Sequence, residues 1–178
     1  MIIALAGAIG SGKSTLANAL AAVRESRCAS FGSYVRHLVD ERGLDVNDRT
    51  VLQDVGHERV ETDARVFLDD TLQWAGHHPA GELVLDGVRH LKILAALHAR
   101  ARELNDPTVL VYLDTPVDVR HARVASRGKT LEQILEDERH PAERDLYEGL
   151  RNAADLRLDG DRPVQELRDK VLAFLAGR

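Results

Sequence analysis

Gly7-Ala8-Ile9-Gly10-Ser11-Gly12-Lys13-Ser14 spells Gly-x-x-x-x-Gly-Lys-Ser, the spacing of a phosphate-cradling P-loop. Residues 1–6, just before it, form an apolar, β-branched run that reads as a buried strand. After it, Leu16, Ala17, Leu20 and Ala21 recur at helical spacing up to Val23. Strand, glycine-rich turn and helix are the context this motif needs. The glycines let the backbone fold tightly so that successive N–H groups point inward, and the helix adds its positive N-terminal end. Lys13 then reaches the β- and γ-phosphates, and the Ser14 hydroxyl ligates Mg²⁺. A chance match in a glycine-bearing turn is the alternative, and the flanking strand and helix argue against it. Gly7, Ala8, Ile9, Gly10, Ser11, Gly12, Lys13, Ser14 and the adjoining Thr15 are therefore the expected triphosphate contacts.

The 178 residues, 44% hydrophobic and 30% charged, describe an ordinary globular chain, expected as one domain over 1–178. No apolar run approaches a membrane span, and residues 1–6 already read as strand, with no secretory leader. A single cysteine, Cys28, excludes an internal disulfide and is expected to pack as a small hydrophobe at a strand end. Together these features point to the cytoplasm. The formal charge of −5 argues against a dedicated nucleic-acid binder. The eight histidines show no metal-ligand spacing, and His77-His78 reads as an exposed loop over 77–81. Oligomeric state, monomer or homodimer, stays open.

Strand and helix signals alternate along the chain. Residues 27–31 read as a second strand, followed by a helix to about Arg42. Helical segments are expected over 48–55 and 61–76. A third strand covers 83–85 and ends at Asp86-Gly87. The helix after it carries Leu91, Leu94, Leu97, Ala101 and Leu104 on one stripe, and a fourth strand covers 108–113. Thr115, Pro116 and Asp118 read as the cap and first turn of the next helix, which ends near Arg127-Gly128. The charged segment 129–140 and a helix from Pro141 lead to a fifth strand over 154–158 and a terminal helix over 164–175. Alternation with apolar strands predicts an α/β fold with a parallel sheet covered on both faces. In such sheets ligands bind at the carboxyl ends of the strands.

The residues at those ends resemble the nucleoside monophosphate kinases of the adenylate kinase-like group. The likeness runs from the P-loop to about residue 158. Ser30-Phe31-Gly32-Ser33-Tyr34-Val35-Arg36 is similar to their segment after strand two, which implies that Arg36 holds the acceptor's phosphate. Asp86-Gly87-Val88-Arg89 is similar to their segment after strand three. This implies that Asp86 orders water around Mg²⁺ and that Arg89 binds the acceptor phosphate. Arg120, Arg123 and Arg127 resemble the arginines entering the lid, with Arg123 and Arg127 at the donor adenine and its phosphates. Arg139 and Arg144 resemble lid arginines. The resemblance implies a three-layer P-loop kinase fold with strand order 2-3-1-4-5. It also implies a helical acceptor-binding region over about 32–76 and a short lid over about 128–144.

Each station has a plainer alternative. Arg36 pairs with Asp40 on an exposed helix, Asp86 caps the next helix, and Arg120, Arg123 and Arg127 form a solvated stripe. Arg139 and Arg144 have Glu136, Glu138, Glu143 and Asp145 as surface partners. The sequence also departs from the family pattern. Ser33 replaces an aspartate, no proline separates Gly87 from Arg89, and no glutamine follows Arg89 to read an adenine. The stretch Leu52-Gln53-Asp54-Val55-Gly56 and the segments 86–90 and 143–145 look more like uncharacterised or deoxynucleotide-type kinase relatives, with dephospho-coenzyme A kinases as distant cousins. In that setting Gln53, with Asp54, contacts the acceptor, or both are simply polar helix positions. The expected reaction is Mg²⁺-dependent transfer from ATP to a nucleoside or deoxynucleoside monophosphate. A hydroxyl kinase, with Asp86 on the hydroxyl proton, and a regulatory P-loop ATPase are the alternatives.

Overall fold

Ile2–Ala6 forms β1 with all five residues buried, because it is the middle strand of a five-stranded sheet ordered β2-β3-β1-β4-β5. All four strand pairings are parallel. The strands are β2 (Arg27–Ser30), β3 (Leu83–Val88), β4 (Thr108–Asp114) and β5 (Leu156–Asp159). Alternate residues of one strand enter opposite cores. Ile2, Ala4 and Ala6 face one cluster with Leu83, Leu85, Leu110 and Tyr112. Ile3 and Leu5 face the other with Val84, Val109 and Val111. The structure, a computed structural model, describes residues 1–178 except Ala80. The Ala80 position of the expected 77–81 loop lies outside the described residues.

Helix α1 (Lys13–Val23) packs Leu16 and Leu20 against the second core together with Leu167 and Val171 of α8 (Val164–Ala176). Helices α2 (Phe31–Glu41), α3 (Arg49–Trp74) and α4 (Leu91–Leu104) cover the other face. Between β4 and β5 run α5 (Val117–Ala125), α6 (Leu131–Arg139), a 3₁₀ turn at Pro141–Glu143, a π-helical turn at Leu146–Leu150 and the short α7 (Arg151–Ala153). A fully buried Leu or Ile contributes about 1.5–3 kcal/mol, so these two facing cores supply most of the driving force.

Several local expectations change. The two helical segments after Asp48 form α3, interrupted by extended backbone at Asp63 (φ −162°, ψ 101°) rather than by a gap at 56–60. Asp63 Oδ1 accepts from the backbone N–H groups of Arg65 and Val66, as an N-cap does. The third strand continues through Asp86 and Gly87 to Val88. Leu91 and Leu104 of the expected α4 stripe are exposed, whereas Ile93 and Ala96 are buried. Cys28 lies exposed on β2, at the sheet's edge, because only Ala29 of that strand is fully buried. The His77 side chain is buried beside Asp106 at 3.5 Å, not exposed. Asp106 also accepts from Arg100, whose own burial requires that partner.

Candidate active site

The P-loop connects β1 to α1 and leaves the start of α1 open. Gly12, at the N-cap, has no side-chain capping bond. The first backbone N–H groups of the helix are thus left for an anion. Gly10 has φ +79°, and a Cβ there would lie 2.6 Å from the Arg120 carbonyl oxygen, so only glycine fits. Lys13 is buried. Burial, and next Arg89, push its ammonium down to about 7 against the opposing pull of Asp86. A phosphate placed here supplies the missing counter-charge.

Ser14 Oγ donates to Asp86 Oδ2 at 2.6 Å, and buried Asp86 Oδ1 has no partner. A hydroxyl and an unsatisfied carboxylate oxygen at the mouth of a phosphate cradle suit a hard cation. The residues present therefore fit Mg²⁺, with phosphate oxygens and water as its remaining ligands. Asp86 is delivered by β3, which registers beside β1. That is why residues 72 apart in sequence meet.

Lys13, Ser14 and Asp86 line a cavity of about 500 Å³, together with Arg36, Arg49 and Arg89. Arg89 is near enough to Lys13 to help push its ammonium down. Arg36 donates to Gly32 O of its own helix at 3.2 Å. Arg89 is buried against Glu143, and Arg49 lies 4.0 Å from the same carboxylate. Burial, then Arg49, depress the Arg89 guanidinium to about 9, and Glu143 is the carboxylate set against it. Glu143 is 1% exposed and belongs to the site's electrostatics, not to the surface. The cavity also has apolar lining from Phe31, Val35, Leu52, Val60, Phe67 and Ile93. Gln53, His57 and His90 line the same space. Burial holds His90 at about 4, so its ring is neutral at physiological pH.

Helix α6 reaches the cavity through Asp137, which lines it. Its capping box, Thr130 with Gln133, starts a helix where the sequence shows only a charged segment. Gln53 Nε2 donates to Asp137 O at 3.0 Å, His140 pairs with Asp54 at 3.1 Å, and Lys129 pairs with the Asp137 carboxylate. Asp54 thus faces α6 rather than the cavity. Arg120 is buried and bonds both Ile9 O and Glu138. Arg123 donates to Ser11 O and Gly160 O at 3.3 and 2.9 Å, behind the P-loop. Arg127 lines the cavity. Arg139 and Arg144 are exposed or partly exposed and are not among the residues lining it. Thr115 does not cap α5; its Oγ1 donates to Ser11 O at 3.1 Å. Arg49, Lys129, His57 and Glu143 are site features that the sequence alone did not single out. Each sits in a run of polar or charged residues, and only the fold reveals which of them turn inward.

A P-loop at the carboxyl end of the central strand of a 2-3-1-4-5 parallel sheet, sharing its cavity with further arginines, marks the class of P-loop kinases. Comparison with known proteins agrees. A family model described as "AAA domain" matches residues 3–144, and the chain belongs to that family of P-loop domains. It is 31% identical over 169 residues to a cytidylate kinase of Natronomonas pharaonis, covering 94% of this chain and 79% of that one. It is 28% identical to a UPF0200 protein of Methanosarcina barkeri, covering 98% and 94% of the two chains. Among solved structures, the fold matches APS kinase CysC of Mycobacterium tuberculosis with TM-score 0.67 at 19% identity, over 98% and 96% of the chains. Shikimate kinase of Aquifex aeolicus matches with TM-score 0.62 at 19% identity, over 99% and 97%. The protein is an ATP-dependent phosphotransferase of the P-loop kinase class.

Proposed function

We propose that the protein transfers the γ-phosphoryl group of Mg·ATP to a nucleoside monophosphate or deoxynucleoside monophosphate. The observation that carries this reading is that three arginines, Arg36, Arg49 and Arg89, line the P-loop cavity in addition to Lys13, together with apolar residues. Lys13 and the P-loop suit the donor's phosphates. The arginines suit an acceptor that carries a phosphate of its own, and the apolar lining suits a flat, weakly polar ring. The similarity to cytidylate kinases supports the same class of acceptor.

In this reading residues 7–15 wrap the triphosphate, with Lys13 on the transferring group. Ser14 and, through water, Asp86 would hold Mg²⁺, which would neutralise charge on the phosphates. Arg36 and Arg89, with Arg49, fix the acceptor phosphate through charge-assisted hydrogen bonds, and Gln53 spans from the acceptor side to the lid. Arg123 and Arg127 serve the donor side, Arg123 through the P-loop carbonyl it supports. Arg139 and Arg144 approach only if the lid, residues 128–144, moves. An acceptor phosphate is ionised at neutral pH, so positioning and charge neutralisation suffice.

A second reading, transfer to a hydroxyl, is favoured by the unpartnered Asp86 Oδ1, which has capacity for a hydroxyl proton. ADP formation from Mg·ATP, measured with a panel of ribo- and deoxynucleoside monophosphates, dephospho-coenzyme A, shikimate and APS, separates the two. At least one monophosphate is expected to stimulate turnover well above the rate with ATP alone. Stimulation confined to a hydroxyl acceptor replaces the first reading by the second.

A further inference from the structure

Arg49, Gln53 and His57 are spaced four apart on α3 and share one face. All three line the cavity. They cover about 12 Å of helix rise, the reach from a phosphate across a sugar to a base. The Gln53 amide nitrogen is already engaged with Asp137 O. One turn further along the helix stands His57, whose Nδ1 is buried with no hydrogen-bond partner among the described residues. His90 stands next to it, ring centroids 5.6 Å apart and planes tilted by 32°. His140 meets His57 edge-on at 6.1 Å. A ring nitrogen left unsatisfied in the wall of a ligand cavity is costly unless the ligand completes it.

We propose that His57 is a specificity-determining residue of the acceptor site, its Nδ1 hydrogen-bonding the edge of the acceptor's nucleobase while His90 forms the wall beside it. The proposal rests on the monophosphate reading above and extends it to the base. A site that hydrogen-bonds its substrate rejects analogues lacking that group far better than an apolar slot does, because the unmatched polar atom is left unpaired. His57 is not needed to hold phosphate, so its loss falls on the choice among bases rather than on the transfer.

The test is kcat/KM for CMP, UMP, AMP and GMP at saturating Mg·ATP, in wild type, His57→Ala and His57→Gln. In wild type one base is preferred. In His57→Ala the ratio of the preferred acceptor to the next is expected to fall about tenfold or more, through KM rather than kcat, with ATP affinity unchanged. His57→Gln, which keeps a polar side chain, is expected to recover part of the ratio or reorder the ranking. If His57→Ala does not fold, the ratio in His57→Gln decides, and it must differ from wild type by a similar factor. Variants that weaken all four acceptors equally, with the ranking kept, overturn the proposal, as does a wild type indifferent to the base. A wild type that uses none of the four, nor any of dCMP, dTMP, dAMP and dGMP, overturns the monophosphate reading itself, and this proposal with it.

Discussion

Lys13 is a cation whose position is set by the loop that follows β1 and whose charge is weakened by that same burial. Removing it withdraws a preorganised positive group from the transferring phosphoryl. Lys13→Ala is therefore expected to lower kcat by about a hundred- to a thousandfold, whereas Arg89→Ala raises the acceptor's KM and leaves ATP affinity within about twofold. Steady-state kinetics with both substrates varied checks this contrast; equal loss of ATP affinity in Arg89→Ala places that residue on the donor side. Lys13, Ser14, Asp86 and Arg89 were legible in the sequence because they follow strands whose apolar runs are unmistakable. Arg49, Glu143 and His57 were not. Arg49 opens α3 among polar neighbours, Glu143 stands between an alanine and an arginine, and His57 follows Gly56. In each case inward orientation comes from packing between elements far apart in sequence.

At the scale of elements, the clearest lesson comes from α3. Gly56 looks like a break between two helices, yet it lies inside the first half of α3, facing Val35 of α2. The actual break is at Asp63, where the carboxylate caps the second half of the helix. Asp63→Ala is expected to lower stability by about 1 kcal/mol, measured by urea unfolding, with kcat retained because the first half of α3 carries the site. Unchanged stability would show that the interruption is held by tertiary packing alone. The same limit hid α6. Its Thr130 and Gln133 cap is visible in the sequence, but a nine-residue helix with two buried residues, Ile134 and Asp137, presents too weak an apolar stripe for periodicity to find.

Across the whole molecule, the parallel sheet was readable from strand alternation, with its β2-β3-β1-β4-β5 order as the resemblance to nucleoside monophosphate kinases implies. How α6 rests on α3 was not, since Gln53–Asp137 and Asp54–His140 join residues 84 and 86 apart. These polar contacts are few and partly exposed, the kind that opens at low cost. Amide exchange over 128–144 and 45–62 is therefore expected to slow markedly on binding ATP and acceptor together, or a bisubstrate analogue, while the strands change little. Equal protection in the free and doubly bound protein would show a lid that does not move.

The contact between Gly10 and the Arg120 carbonyl bears on where such movement starts. Arg120 is also bonded to Ile9 O, and Arg123 to Ser11 O and Gly160 O. The loop and α5 thus meet backbone against backbone, with guanidinium rivets on either side, and they must travel as one piece. Gly128, at φ +93° with open space where a Cβ would stand, is the first glycine beyond that riveted block, yet Arg120 and His121 also tie α5 to Glu138 of α6. Any swing of the chain beyond Gly128 would therefore have to part both side chains from that one carboxylate.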